Sequence, residues 1–302
     1  MRRVPVKRAE PGLYLERQRG NVDRYLAALL EGDASPPRLR EAMRYSVAAG
    51  GKRLRPLLTV AAAETLGLPG EQVLAVAAAF ELVHTYSLIH DDLPAMDDGM
   101  MRRGRPTCHR AHGEALAILA GDALLTLAFE QVAAYGLREG CAERALQISL
   151  ELARAAGREG MVGGQVLDLE AEGRSVDLAA LELIDRCKTG ALLEAAVRCG
   201  ALAAGASPAE LDSLKGYSSC LGLAFQITDD LLDREGSTAE LGKDAGADGA
   251  RGKATFPALL GAEAARERSK ELYRRALLYL EELGRPAELL EELARQLVFR
   301  DR

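Results

Sequence analysis

Apolar positions recur at three- and four-residue intervals along this 302-residue chain, and no stretch alternates at two long enough to read as a strand. Ala, Leu, Glu and Arg dominate, all strong helix formers. Glycine and proline predict the breaks. Gly32 to Pro37 separates a first helix from one over Arg38 to Ala48, and Gly67 with Pro69 ends a helix near Thr59 to Leu66. Glu71 to Asp92 is almost continuously apolar through Phe80 and continues with Leu82, Val83, Tyr86, Leu88 and Ile89. A helix this apolar belongs inside a bundle, with protein on every side. Further helices are expected over Gly113 to Ala134, Glu139 to Ala156, Asp177 to Ala204 and Pro208 to Leu232, then two amphipathic ones at Ala262 to Leu283 and Ala287 to Val298. Ser207-Pro208-Ala209-Glu210 reads as a capping box with proline in the first turn. With no fixed-period repeat and no evident linker, residues 1–302 are expected to form a single all-α domain, a bundle of more than four helices.

Composition narrows the function classes. Lys+Arg 39 against Asp+Glu 45 gives a formal net charge of -6, which argues against a nucleic-acid partner but leaves anionic small molecules open. The charged segment Met1 to Gly20 lacks an apolar signal core, and no segment reads as a membrane span. Five scattered cysteines without a C-x-x-C pair read as reduced thiols, so a cytoplasmic location is expected and structural zinc is not.

Two acidic clusters carry the chemistry. Asp91-Asp92-Leu93-Pro94-Ala95-Met96-Asp97-Asp98 closes the most apolar helix. In Asp229-Asp230-Leu231-Leu232-Asp233, Asp229 and Asp233 share a helix face. Each cluster sits in apolar sequence, where like charges repel unless a cation intervenes. Oxygen-only donors favour a hard ion such as Mg2+, which keeps waters and completes its shell with substrate phosphates. Cations stand nearby: Gly50-Gly51-Lys52-Arg53-Leu54-Arg55 before one helix, Arg102-Arg103-Gly104-Arg105 after the first acidic cluster, and Lys243 and Lys253 in a Gly-rich segment. Arginine forks and lysine ammonium groups suit diphosphate oxygens. The spacing of a P-loop is absent.

These motifs, in this order, resemble the trans-isoprenyl diphosphate synthases, most closely those of the bacterial farnesyl type. The matching elements are G-G-K-R-L-R-P at Gly50 to Pro56, D-D-x-x-x-x-D at Asp91 to Asp97, R-R-G-R-P-T-C-H at Arg102 to His109, Gly121-Asp122, Gly164-Gln165 with Asp168, Lys188-Thr189-Gly190, D-D-x-x-D at Asp229 to Asp233, and Gly242-Lys243-Asp244. The resemblance implies an all-helical fold around a deep central cavity, normally a homodimer. It implies Asp91, Asp92, Asp97, Asp229 and Asp233 as Mg2+ ligands, three ions with bound substrate, and Asp230 as support for the water shell. It implies Arg102, Lys188 and Lys253 at the allylic diphosphate, with Lys243 and Gln226 at the same end, and Gly51, Lys52, Arg55, His84 and Arg103 at isopentenyl diphosphate. Thr189, the Lys188 carbonyl and Gln226 would shield an allylic cation.

The implied reaction is head-to-tail condensation. The allylic carbon–oxygen bond ionises, the alkene attacks, and a proton leaves to the departing pyrophosphate. Tyr86 and Ser87, five and four positions before Asp91, are the implied chain-length positions, and since Ser87 is small, Tyr86 alone would stop the chain at C15. A C20 synthase is the alternative with the same chemistry. A terpene cyclase would have no need of the second diphosphate pocket, and a non-catalytic partner subunit would have no need of both acidic sets. Gly99-Met100 departs from the further aspartates common in such enzymes, and the tail resembles their basic tail only loosely, with Arg300 implied to close over the diphosphate.

Overall fold

Small side chains decide which helices approach closely. The structure is a computed structural model and describes residues 10–32, 34–235 and 254–300. Lys243 and Lys253 therefore lie outside the described residues. In chain order the helices are α1 (Pro11–Leu29), α2 (Pro37–Val47), α3 (Leu54–Thr65), a 3₁₀ turn (Gly70–Val73), α4 (Leu74–Asp91), α5 (Cys108–His112), α6 (Glu114–Arg138), α7 (Ala142–Ala156), α8 (Met161–Ala171) and α9 (Leu178–Asp185). A π-turn (Arg186–Gly190) leads into α10 (Ala191–Ala204), followed by α11 (Pro208–Glu235), α12 (Phe256–Leu260), α13 (Ala262–Leu283) and α14 (Glu288–Val298). The mostly helical bundle expected from periodicity is the one observed.

The alanine run of α4 lets it lie at the centre, with α3 and α6 packed against it. Phe80 and Leu82 are fully buried there, each stabilising the fold by about 1.5–3 kcal/mol. The α10–α3 crossing is tighter still, since a Cβ on Gly200 would lie 2.2 Å from the Thr59 carbonyl oxygen. α11 packs along α13, which brings the second acidic motif beside the C-terminal helices. The Ser207–Glu210 capping box forms as read, with the Ser207 N–H donating to the Glu210 carboxylate at 2.8 Å.

Three expectations need correcting. The segment read as one helix over Asp177 to Ala204 is interrupted by the π-turn, and α8 carried too little periodicity to be noticed. A two-residue antiparallel hairpin, β1 (Met101–Arg102) with β2 (Arg105–Pro106), interrupts the helices and carries the arginine motif. Two segments, Gly70–Asp91 and Glu114–Arg138, are long and apolar enough to cross a membrane by composition, contrary to the reading that none is. Their few charges are too sparse to lower the average. Of its most apolar 18-residue stretch, the first buries 72% inside the bundle and the second only 39%.

Candidate active site

The first acidic cluster is built by a helix end that folds back on itself. After α4, the Asp97 N–H donates to the Asp91 carbonyl at 2.8 Å and the Gly99 N–H to the Asp92 carbonyl at 3.1 Å, so the four residues between Asp92 and Asp97 form a closed turn. Gly99, the departure in this motif, has a steric cause: a Cβ there would lie 2.8 Å from Asp92 Oδ1. The Thr107 hydroxyl clamps the turn by donating to the Gly99 carbonyl at 2.7 Å. Burial pushes the Asp91 carboxyl up to about 6; Asp97 and Asp92 add repulsion, while Lys188 and Arg102 oppose it. Asp92 is 3% exposed and accepts a forked contact from Arg102, Nη2 at 2.7 Å and Nε at 2.8 Å.

Lys188 joins this wall to the rest of the site. It lies in the π-turn and donates to Asp168 Oδ2 at 2.7 Å. π-turns often mark functional sites because they re-aim side chains within a helix. Here α8 presses directly on the turn: a Cβ on Gly164 would lie 2.2 Å from the Lys188 backbone nitrogen. Thr189 is the next residue of the turn, which packs against α11.

The second acidic motif is one face of α11. Asp229 pairs with Arg300 at 2.9 Å, and that guanidinium also lies 4.7 Å from the centre of the Phe225 ring. Asp230, expected to support a water shell, instead braces the protein here: it accepts from the Gln226 side chain and from the Phe256 N–H, both at 2.9 Å. Gln226 is therefore oriented by Asp230. Asp233 is buried one turn further along.

The basic side forms around four positions of positive φ. Gly50 and Gly51 have φ of 80° and 126°, and Arg53 and Arg103 sit at 49° and 52°. A Cβ on Gly51 would meet the Arg103 guanidinium at 2.6 Å, so the glycine leaves room for Arg103, which donates to the Gly50 carbonyl. Burial lowers Arg55 to about 10, with Arg103 adding to the shift and Glu81 opposing it. His84 is held well below its ordinary value, first by burial and then by Arg55, Arg103, Arg102 and Arg53, so its imidazole is neutral at pH 7. Lys52 is lowered by burial and by Arg300, with Asp229 opposing, which links this side to the second acidic motif. A cavity of about 480 Å³ opens between α1, α3 and α14, with Lys52 and Arg300 among its lining residues.

Tyr86 is buried on α4 one turn before the acidic end, with its ring edge-on to His90 at 5.7 Å; Ser87 donates to the His84 carbonyl at 2.9 Å. The donor set suits a hard divalent cation, because crowded carboxylates with one acid raised to about 6 are what such an ion would relieve. No three His, Cys, Asp or Glu side chains among the described residues form a ready-made metal cage. Two of the acids are engaged by arginines, Asp92 by Arg102 and Asp229 by Arg300. Mg2+ needs only one or two carboxylates when phosphates and waters supply the rest. Sequence reasoning left Asp168 without a role and could not see that Arg300 would reach Asp229.

The polyprenyl synthetase family profile matches residues 36–288. The chain is 50% identical over 266 residues to farnesyl diphosphate synthase of Escherichia coli (strain K12), covering 87% of this chain and 89% of that one. It is 49% identical over 244 residues to the chloroplastic geranylgeranyl pyrophosphate synthase 11 of Arabidopsis thaliana, covering 80% and 68%. Among solved structures, a geranyltransferase from Helicobacter pylori complexed with magnesium and isoprenyl diphosphate superposes with a TM-score of 0.83 at 30% identity, over 97% of this chain and 98% of that one.

Proposed function

The chain belongs to the polyprenyl synthetase family, and from that premise we propose that it makes the C15 product farnesyl diphosphate from isopentenyl diphosphate and the C5 and C10 allylic diphosphates. It is a magnesium-dependent prenyltransferase that condenses isoprenoid diphosphates head to tail. The observation that carries the C15 reading is Tyr86, a buried ring at the position where a lengthening chain descending along α4 would meet it. A C20 product is the second reading, favoured by the small Ser87 beside it and by the identity to the chloroplastic enzyme.

Asp91, Asp92 and Asp97 on one side and Asp229 and Asp233 on the other would hold Mg2+, three ions in the full complex, and Mg2+ would supply positive charge to the departing pyrophosphate. Arg102 and Lys188, with Lys243 and Lys253, add to that charge where it develops, which is worth a few kcal/mol per contact. Lys52, Arg55, His84 and Arg103 bind the second diphosphate and keep its alkene beside the allylic carbon. The Thr189 hydroxyl and the Gln226 amide oxygen face the allylic cation with their dipoles, and the apolar residues of α4 exclude water. The proton leaves to the pyrophosphate, as the family resemblance implies; His84, neutral and surrounded by arginines, is assigned to diphosphate binding.

Two further parts of the reading rest on separate observations. α6 leaves Ile118 and Leu119 exposed on an apolar helix, which a second copy of the chain would cover as a homodimer. All five cysteines are unpaired, as suits the cytoplasm. The test is to incubate the protein with isopentenyl diphosphate and each allylic primer and measure product length. C15 is expected to dominate, and a C20 majority overturns the C15 reading. Asp91→Ala and Asp229→Ala are expected to abolish turnover; turnover at the wild-type rate in either removes the site.

A further inference from the structure

Arg53 lies between two proposed diphosphate ligands, Lys52 and Arg55, yet it turns away from them into the protein. Its side chain is 3% exposed and that of Glu81 is 2% exposed, and they meet at 2.5 Å. The remaining donors of the guanidinium go to Asp23 Oδ1 at 2.8 Å and to the Val47 carbonyl at 2.7 Å. Arg53 thus ties the glycine turn to α1, α2 and α4 at once. It does so from a left-handed backbone, φ 49°, at the residue that caps α3. Such a conformation is unfavourable in a non-glycine residue and persists only where its surroundings hold it. Glu81 lies three residues before His84 on α4, so the ion pair joins the turn carrying Lys52 and Arg55 to the helix carrying His84. Glu81 also acts electrostatically on Arg55 and Arg103 as well as on Arg53. One buried carboxylate therefore faces three arginines that would otherwise repel one another.

We propose that the buried Arg53–Glu81 pair is a positioning element for the isopentenyl diphosphate pocket: it sets the direction of Lys52 and Arg55 and the spacing of Arg55, Arg103 and His84, without touching substrate. This rests on the assignment of Lys52, Arg55, His84 and Arg103 to that diphosphate. Packing alone does not require an ion pair here, because a buried salt bridge replaced by apolar residues of similar volume often leaves a protein as stable or more so.

That fact supplies the test. The double variant Arg53→Met, Glu81→Leu keeps the interior filled and removes the charge and the fork together. Melting temperature, kcat, and KM for each substrate at saturating concentration of the other are measured in wild type, the double variant, Arg53→Lys and Lys52→Ala. A folded double variant is expected to raise KM for isopentenyl diphosphate on the order of tenfold or more, with KM for the allylic diphosphate within about twofold. An unchanged KM for isopentenyl diphosphate in the folded double variant overturns the proposal. Should the double variant not fold, Arg53→Lys decides: it keeps the charge but loses the fork, so KM is expected to rise severalfold, and a wild-type KM overturns the proposal. Lys52→Ala separates the two levels. If it leaves KM for isopentenyl diphosphate unaltered, the pocket assignment itself is wrong; if it raises KM while the pair variants do not, only the positioning role is.

Discussion

Gly164→Ala tests the geometry of the π-turn with the smallest possible change. The added methyl carbon would lie 2.2 Å from the Lys188 nitrogen, 2.6 Å from its Cα and 2.8 Å from the Cys187 carbonyl carbon. All three are backbone atoms, so no side-chain rotation relieves the overlap. Carbon contacts settle near about 3.5 Å, so α8 and the π-turn must separate by about 1 Å. Asp168 sits one turn along α8 and accepts from Lys188 at 2.7 Å, so the separation strains that bridge and displaces Lys188 and Thr189 together. A displacement of that size at a reacting centre lowers rate by about a hundredfold. Steady-state kinetics with the allylic substrate varied, beside a thermal melt, is the assay. The expected result is a fall in kcat by roughly two orders of magnitude, with a folded protein whose stability drops by about 1–3 kcal/mol. Wild-type kcat in Gly164→Ala would refute the claim that the π-turn positions Lys188 for catalysis.

Three further outcomes are expected. Tyr86→Ala shifts product from C15 toward C20 in a chain-length assay, and an unchanged product distribution places the floor elsewhere. Arg300→Gln removes the guanidinium from Asp229, and Mn2+ binding followed by paramagnetic resonance tightens severalfold in the substrate-free protein; unaltered affinity means the arginine and the metal do not compete. His84, held below its usual value, takes up its proton in the unfolded chain before the native one as pH falls. Native stability is therefore lost as pH drops below about 6.5, by at most about 1.4 kcal/mol per pH unit from this group. A melting series from pH 7.5 to 5 shows a shallower decline in His84→Asn, and identical slopes in the two proteins contradict it.

The charges gathered at the site are paired within the protein. Arg102 neutralises Asp92, Arg300 neutralises Asp229, and Glu81 offsets the arginines of the basic pocket. Each arrangement lowers the cost of gathering like charges around apolar helices, a cost that grows steeply when such groups are buried without partners. Burial nonetheless holds both Asp91 and Asp92 above the usual carboxylate range. The Asp91 carboxyl is pushed up to about 6, so a cation binding beside it would offset the burial that raises it.

The helical class, the buried character of α4, the two acidic motifs and the capping box at Ser207 were all legible in the residues themselves. Their causes are local: side chains three and four apart share a face, and a cap needs only its own first turn. The charged motifs were legible because acids in apolar sequence demand an explanation that a solvated surface does not. What folding alone decided were the pairs between distant segments. Arg300 reaches Asp229 across 71 positions and Arg53 reaches Glu81 across 28, and no periodicity predicts either partner. The π-turn and the missing Cβ of Gly164 likewise depend on how α8 happens to press on its neighbour. Local spacing follows from bond geometry, whereas the choice among several arginines for each carboxylate is settled only when the core packs and excludes the rest.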